Sequence, residues 1–454
     1  MLRSRHFVLL FALFTALVMA LAACAGQTQQ VGGAQPAAQE AAPAKAEAPA
    51  KAEAPAEEPA ASTEPIKIGA LAPLSAPGTV VGGEAMRDAM NIAVDEINAA
   101  GGLLGRQVEL IIVDSEGLPE KGTAVMERLI NQDHVVAVGG GYHSSVGVAA
   151  KEVAHNNGIP VVFAETWNDT ITSVEYPEIF RIAPLNSEVS AVDVKFIQWL
   201  HDNAGAPIQK VAILTENTDY GIPAAEVTTE LLGKADITAV TFGVDIGTQD
   251  FAGIIERIKA EKPDMIMALA TGEASYNFTQ QAADAGIGPQ DVPFLCNQVS
   301  LESNAFWTNV PDGNNCFVRR VGLPTALYND VAKSFLAKYQ EVTGKQAAES
   351  YALEAYDSIK ILAQAIDEAG TTDSAAIIDA LENITYVGAL GTITFPINSK
   401  NTPEAAGKDP KWWHQFPNPA ITIVQYQTAG EDSTNATVVF PEIYQTGDPV
   451  IVGQ

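Results

Sequence analysis

A chain of 454 residues with 26 Lys and Arg against 55 Asp and Glu carries a formal charge of −29. No basic face is available to neutralise phosphates, which excludes nucleic acid as a natural partner. At 47% hydrophobic and 18% charged, most of the chain is suited to a buried core, and its length suggests two or three compact units.

Arg3 and Arg5 precede an apolar run from Phe7 to Ala23, so residues 1–23 read as an export signal. The run ends in Leu21-Ala22-Ala23-Cys24, which resembles the lipobox of bacterial lipoproteins. That resemblance implies diacylglycerol on the Cys24 thiol and a chain lipid-anchored to the membrane, outside the cytoplasm. An uncleaved anchor is the alternative, since about 17 apolar residues barely span a bilayer. Residues 24–65 are rich in Ala, Pro, Glu and Lys, and Pro43-Ala44-Lys45-Ala46-Glu47-Ala48 recurs at once from Pro49 to Ala54. Such a stretch buries too little apolar surface to offset its ordering entropy and is predicted to be a disordered stalk. Cys296 and Cys316 complete the cysteines. Outside the cell an even pair suggests a disulfide; two buried thiols are the other possibility.

From Ile66 the pattern alternates. Ile66–Leu71 is a predicted strand, and Gly82–Ala100, with apolar residues at helical spacing, is a helix stopped by Gly101-Gly102. Strands follow at Val108–Val113, Val135–Val138 and Ile159–Phe163, with helices Glu120–Gln132 and Ser144–Asn157 between them. A second series opens with helix Ser187–Asn203, strand Val211–Thr215, helix Ile222–Gly233 and strand Thr238–Phe242. It continues with helix Phe251–Ala260, strand Met265–Leu269, helix Ser275–Ala285 and strand Val292–Leu295. Apolar strands separated by amphipathic helices predict an α/β fold of two doubly wound parallel-sheet lobes. The break between them falls at Arg181–Ser187. Helices Ala326–Val342, Ala347–Glu368 and Ser374–Leu381 come next, then strands Gly391–Phe395 and Ala420–Tyr426. A helical tail followed by strands suits a chain that crosses back to complete each lobe in turn.

This order resembles the type I periplasmic binding proteins, in particular the branched-chain amino acid family. Three stretches carry the likeness: Ile66 to Ser75, with its Gly69, Pro73 and Ser75; Asp95 to Gly105, with Ile97-Asn98-Ala99-Ala100-Gly101-Gly102; and Tyr351 to Leu362, with Tyr356-Asp357. The resemblance implies two lobes joined by three crossovers, here 66–185 with 325–390 and 186–324 with 391–454. It also implies a ligand held in the cleft between them, docking of the closed form on an ABC permease, a monomer, and neither enzymatic activity nor a cofactor. An enzyme also lacks support in the motifs: the six histidines stand far apart, with no His-Glu-x-x-His, Cys-x-x-Cys or Gly-x-Ser-x-Gly. A ligand sensor reporting to a separate signalling partner is the remaining rival.

The cleft should lie beyond the carboxyl ends of the strands. There the loop Gly139-Gly140-Gly141-Tyr142-His143-Ser144-Ser145 can bring backbone close to a ligand. Ser144, by the resemblance, grips a ligand carboxylate; otherwise it is a plain helix cap. In Glu165-Thr166-Trp167 the family's small-residue run is replaced. Trp167 can stack on a planar group, and Glu165 can accept from a cation or amide, unless it is a surface acid. Tyr220, Thr271 and Glu273 follow strands of the second series. Gln298 aligns with the acid that pairs the ligand ammonium in relatives. An amide is the weaker partner there, so either Glu165 or Glu273 supplies the charge, or the ligand is an amide, a urea-like compound or an aromatic acid. Lys411-Trp412-Trp413-His414-Gln415-Phe416 is expected to pack within a lobe, the alternative being one Trp on the cleft rim or against a partner.

Overall fold

The computed structural model describes residues 64–297, 302, 305–345 and 348–453. The expected export signal, Cys24, nearly all of the expected stalk and Gln298 lie outside these. The first series runs β1 (Ile66–Ala72), α1 (Val80–Ala99), β2 (Val108–Asp114), α2 (Pro119–Asn131), β3 (Ala137–Gly140), α3 (Ser144–Asn157), β4 (Val161–Phe163) and β5 (Ile179–Arg181). Its strands form a wholly parallel sheet in the order β2-β1-β3-β4-β5. Helices cover both faces, so β1, β3 and β4 are buried throughout their apolar lengths.

The second series begins α4 (Asn186–Asn203), β6 (Lys210–Glu216), α5 (Gly221–Lys234), β7 (Thr238–Val244) and α6 (Ala252–Glu261). It continues β8 (Met265–Leu269), α7 (Glu273–Asp284), β9 (Phe294–Asn297), α8 (Phe306–Asn309) and β10 (Phe317–Val321). The chain then returns to the first layer with α9 (Asp330–Thr343), α10 (Ser350–Ala369), α11 (Ser374–Asn383) and the hairpin β11 (Tyr386–Gly388) and β12 (Gly391–Ile393). Strands β13 (Ile421–Gln425) and β14 (Thr437–Phe440) close the second sheet, whose order is β14-β13-β10-β9-β8-β6-β7. Its core is parallel as expected, but β13 and β14 add an antiparallel edge. Cys296 and Cys316, on or beside neighbouring strands, are joined as a disulfide with Cα atoms 5.5 Å apart.

Helix α10 packs along α1 in the first layer. Within the Tyr356-Asp357 motif, the Tyr356 hydroxyl donates to Glu96 of α1 at 2.5 Å, and the Asp357 carboxylate accepts from the amides of Ala389 and Leu390 at 2.9 and 2.8 Å. The motif therefore fixes a helix and a hairpin turn.

The third crossing differs from the expected position at residue 391. Strand β12 pairs with β11, and Gln415 lies beside Arg181 of β5, whose amide donates to the carbonyl of His414 at 3.0 Å. The chain stays with the first sheet as far as Phe416. These contacts join residues more than 200 positions apart and leave no periodic trace in the sequence. Trp413 is buried here, its ring N–H donating to the Tyr176 carbonyl at 3.0 Å, which is packing within the first lobe. Residues of all three crossings, among them Leu185, Leu323 and Pro419, line one common cavity, so the connections run side by side.

Candidate functional site

The carboxyl ends of β3 and β4 face those of β6 and β8 across a narrow cavity of about 10 Å³. Tyr142, His143, Ser144, Ser145, Glu165 and Trp167 line it from the first sheet. Glu216, Thr218, Tyr220 and Thr271 line it from the second, with Gly117 and Ile246 at its margins. Seven of the ten expected ligand residues thus meet here: Tyr142, His143, Ser144, Glu165, Trp167, Tyr220 and Thr271.

The loop after β3 needs its glycines. Gly140 and Gly141 have φ of +76° and +89°, and a side chain on Gly140 would stand 2.7 Å from the Leu71 carbonyl oxygen. The turn delivers the chain to α3 with His143 as the residue before the helix, its side chain making no capping bond. Ser144 and Ser145 are therefore the first helical residues rather than caps. The Ser144 oxygen accepts from the amides of Trp167 and Asn168 at 3.2 and 3.1 Å, tying the loop after β4 to the helix start. Its hydroxyl proton and the first-turn amides of α3 are donors of the kind that favour a negative group at helix N-termini.

The two lobes touch directly. The Asp219 amide donates to the Ser145 hydroxyl at 3.1 Å, the Asn168 side chain donates to the Asp219 carbonyl, and the rings of Trp167 and Tyr220 meet edge to face at 6.0 Å. These bonds belong to a closed cleft.

Around the cavity several buried polar atoms make no hydrogen bond: the Tyr142 hydroxyl, both ring nitrogens of His143, Glu165 Oε2 and Trp167 Nε1. Burial lowers the His143 imidazole to about 4, so it is neutral near pH 7. Burial likewise pushes the Tyr142 and Tyr220 phenols up. The Glu165 carboxyl is raised by burial to about 8, although Glu354 and Trp167 lie close enough to offset part of the cost. Glu354 of α10 is likewise raised well above the ordinary carboxyl value, by its own burial and then by the charge of Glu165. The Glu216 carboxylate accepts from the Thr271 amide and hydroxyl and from the Thr218 hydroxyl, each at 2.9 Å, yet burial still raises its pKa. No Lys or Arg lines the cavity among the described residues. The buried Arg319 guanidinium, beside Tyr220, bonds Asp193 through Nε at 2.6 Å and leaves both terminal nitrogens without a hydrogen bond.

Two of the expected residues do not line this cavity. Thr166 is buried, but its methyl packs on Gly147 behind the loop and its carbonyl accepts from Arg181. Glu273 is only half-buried at the first position of α7, outside the cavity. The helix starts there rather than at Ser275. Sequence reasoning missed Glu216 and Glu354. Glu216 ends a strand, where the same positional rule would have found it. Glu354 lies inside a helix among apolar residues, with no local signal beyond being an acid on a buried face. Among the described residues no cluster of His, Cys, Asp or Glu suits a metal ion, and no helix is long and apolar enough to cross a membrane.

Comparison with known proteins gives a consistent picture. The model of a periplasmic binding protein family matches residues 65–406. The Leu/Ile/Val-binding protein homolog 7 of Brucella abortus is 25% identical over 328 residues, covering 70% of this chain and 81% of that protein. The branched-chain amino acid transporter substrate-binding protein LivJ of Streptococcus pneumoniae, solved with isoleucine, superposes with a TM-score of 0.69 at 22% identity, covering 83% of this chain and all of that one, 100%. A solute-binding protein of an ABC transporter from R. palustris, solved with benzoate, gives 0.68 at 19% identity, covering 86% and 99%. Such proteins bind solutes outside the cytoplasm and are not enzymes. With its paired sheets, triple crossing and interlobe cavity, the chain belongs to the type I periplasmic binding proteins, in the branched-chain amino acid family.

Proposed function

We propose that this chain is the extracytoplasmic solute-binding component of an ABC importer, capturing a small polar solute between its lobes and delivering it to a permease. The solute is an amino acid or a related amide, urea-like compound or aromatic acid. The lobes are residues 66–185 with 325–416 and 186–324 with 417–453. They open and close about the three adjacent crossings, and closure excludes water and strengthens each polar contact. A lipid on Cys24 and the stalk keep the protein tethered as a monomer near its permease. The observation that carries the reading is the interlobe cavity, ringed by buried hydrogen-bonding atoms that have no protein partner. Such atoms cost about 1–3 kcal/mol each unless something bonds them.

The test is a thermal-shift screen of the purified protein against amino acids, amides, ureas and aromatic acids. A true ligand at one hundred times its Kd adds about 2.7 kcal/mol of stability. If every class leaves the melting temperature unmoved, the reading fails.

A further inference from the structure

We infer that the start of α10, with Arg320 behind it, is a carboxylate-binding site that the chain fills with its own Glu302, a latch holding the two lobes together before any solute arrives. The inference takes the lobe movement from the reading above and goes beyond it, since no solute takes part. Glu302 lies between β9 and α8 of the second series, whereas α10 packs along α1 in the first layer. Its two carboxylate oxygens nevertheless accept from the Ser350 amide at 2.8 Å and from the Ser350 hydroxyl at 2.7 Å. Helix α10 has 20 residues and begins without a side-chain cap of its own. Glu349, the residue before it, accepts instead from the Tyr339 hydroxyl at 3.3 Å. The first-turn amides of an uncapped helix carry partial positive charge. A carboxylate from the other lobe therefore does here what Ser, Thr, Asp or Asn does within a single helix.

A second positive group converges on the same carboxylate. Arg320 of β10 is 3% exposed, and its Nε stands 3.5 Å from Glu302 without a hydrogen bond of its own. Another of its nitrogens donates at 3.2 Å to the hydroxyl of Tyr328, on the segment that joins β10 to α9. Glu302 and Ser350 are buried as well, so water does not compete for these bonds. Parting the lobes takes from the Ser350 amide and hydroxyl the acceptor they hold, and bonds to a charged acceptor are roughly twice as strong as neutral ones. The contact thus biases the solute-free chain toward the shut form. Burial pushes the Glu302 carboxyl up to about 7, against the pull of Arg320 and of the Ser350 bonds, so pH 8 keeps it charged.

Small-angle scattering of the solute-free full chain at pH 8 is the test. Glu302→Ala should enlarge the radius of gyration by on the order of 1 Å, about 5% of the value for a compact body of this length. Ser350→Ala, which removes one bond and no charge, should enlarge it less. Sodium acetate should return Glu302→Ala to the parent's radius, saturably, by entering the vacated site, while sodium chloride at equal ionic strength should not. The parent, its site already filled, should respond to neither salt. An unchanged radius in Glu302→Ala, or an expansion that acetate reverses no better than chloride, overturns the inference, and so does an equal response of parent and variant to acetate. If Glu302→Ala does not fold, Ser350→Ala decides: an enlarged radius supports the latch and an unchanged one overturns it. None of these results enters the thermal-shift screen, so the latch and the solute-binding reading fail separately.

Discussion

Replacing Arg181 by lysine probes how the loop carrying Glu165 and Trp167 is held. The guanidinium is fully buried and pairs with no carboxylate; burial lowers it to about 10. It donates to Gln415 Oε1 at 2.6 Å, to the carbonyls of Thr166 and Asn168 at 3.1 and 2.6 Å, and to the Thr172 hydroxyl at 3.2 Å. These acceptors fan out on three sides, a geometry that suits a planar fork and not a single ammonium. Lysine keeps the buried charge but forfeits at least two of the bonds. At about 1.5–3 kcal/mol for each bond to a charged group, Arg181→Lys should lose about 3–6 kcal/mol. The assay is urea denaturation, with the midpoint falling at constant slope. Because the freed carbonyls flank Trp167, ligand affinity should fall with it. A loss below about 1 kcal/mol would refute the idea that this fork organises the site.

Three further outcomes follow from the same geometry. Trp167→Ala and Ser144→Ala should each weaken solute binding severalfold or more by calorimetry, the first by removing the interlobe edge-to-face contact and the second by releasing two amides; unchanged affinity in both would displace the site. Glu165 is raised from an ordinary 4.5 to about 8 by burial, so the folded chain holds a proton that the unfolded one has lost across that interval. Its contribution makes stability fall as pH rises from about 4.5 to 8, by at most about 1.4 kcal/mol per unit, and denaturation at stepped pH should show a shallower decline in Glu165→Gln. Burial opposes ionisation of Glu382, but hydrogen bonds from His414 at 3.0 Å and from Ser399 outweigh it and hold the carboxyl at about 2. That stabilisation is present above the ordinary carboxylate range and is lost as pH falls toward 2, so Glu382→Gln should lower the melting temperature at pH 7 and much less at pH 2; an equal drop at both would contradict the sign.

The alternation of apolar strands with amphipathic helices, and the glycine-rich turn before Ser144, made both lobes and half of the cleft legible in the sequence. Tyr142, Ser144, Trp167 and Tyr220 were accessible because each follows a strand directly, and position at a strand end is local information. The same logic chose Glu273 and Thr166, which do not line the cavity. Where α7 begins and which way one loop residue points are set by packing across the layer, not by residue type. Segment 391–416 joined the first lobe through Gln415 and His414, whose partners Arg181 and Glu382 could not be chosen by any local pattern. By itself, then, the sequence determined the layers, the order of the elements and the end of each sheet at which a ligand would sit, because periodicity and turn chemistry act over a few residues. Only the tertiary structure decided that two glutamates from a loop and a distant helix would be pressed together, because burial and mutual charge arise when remote segments close on the same few ångströms.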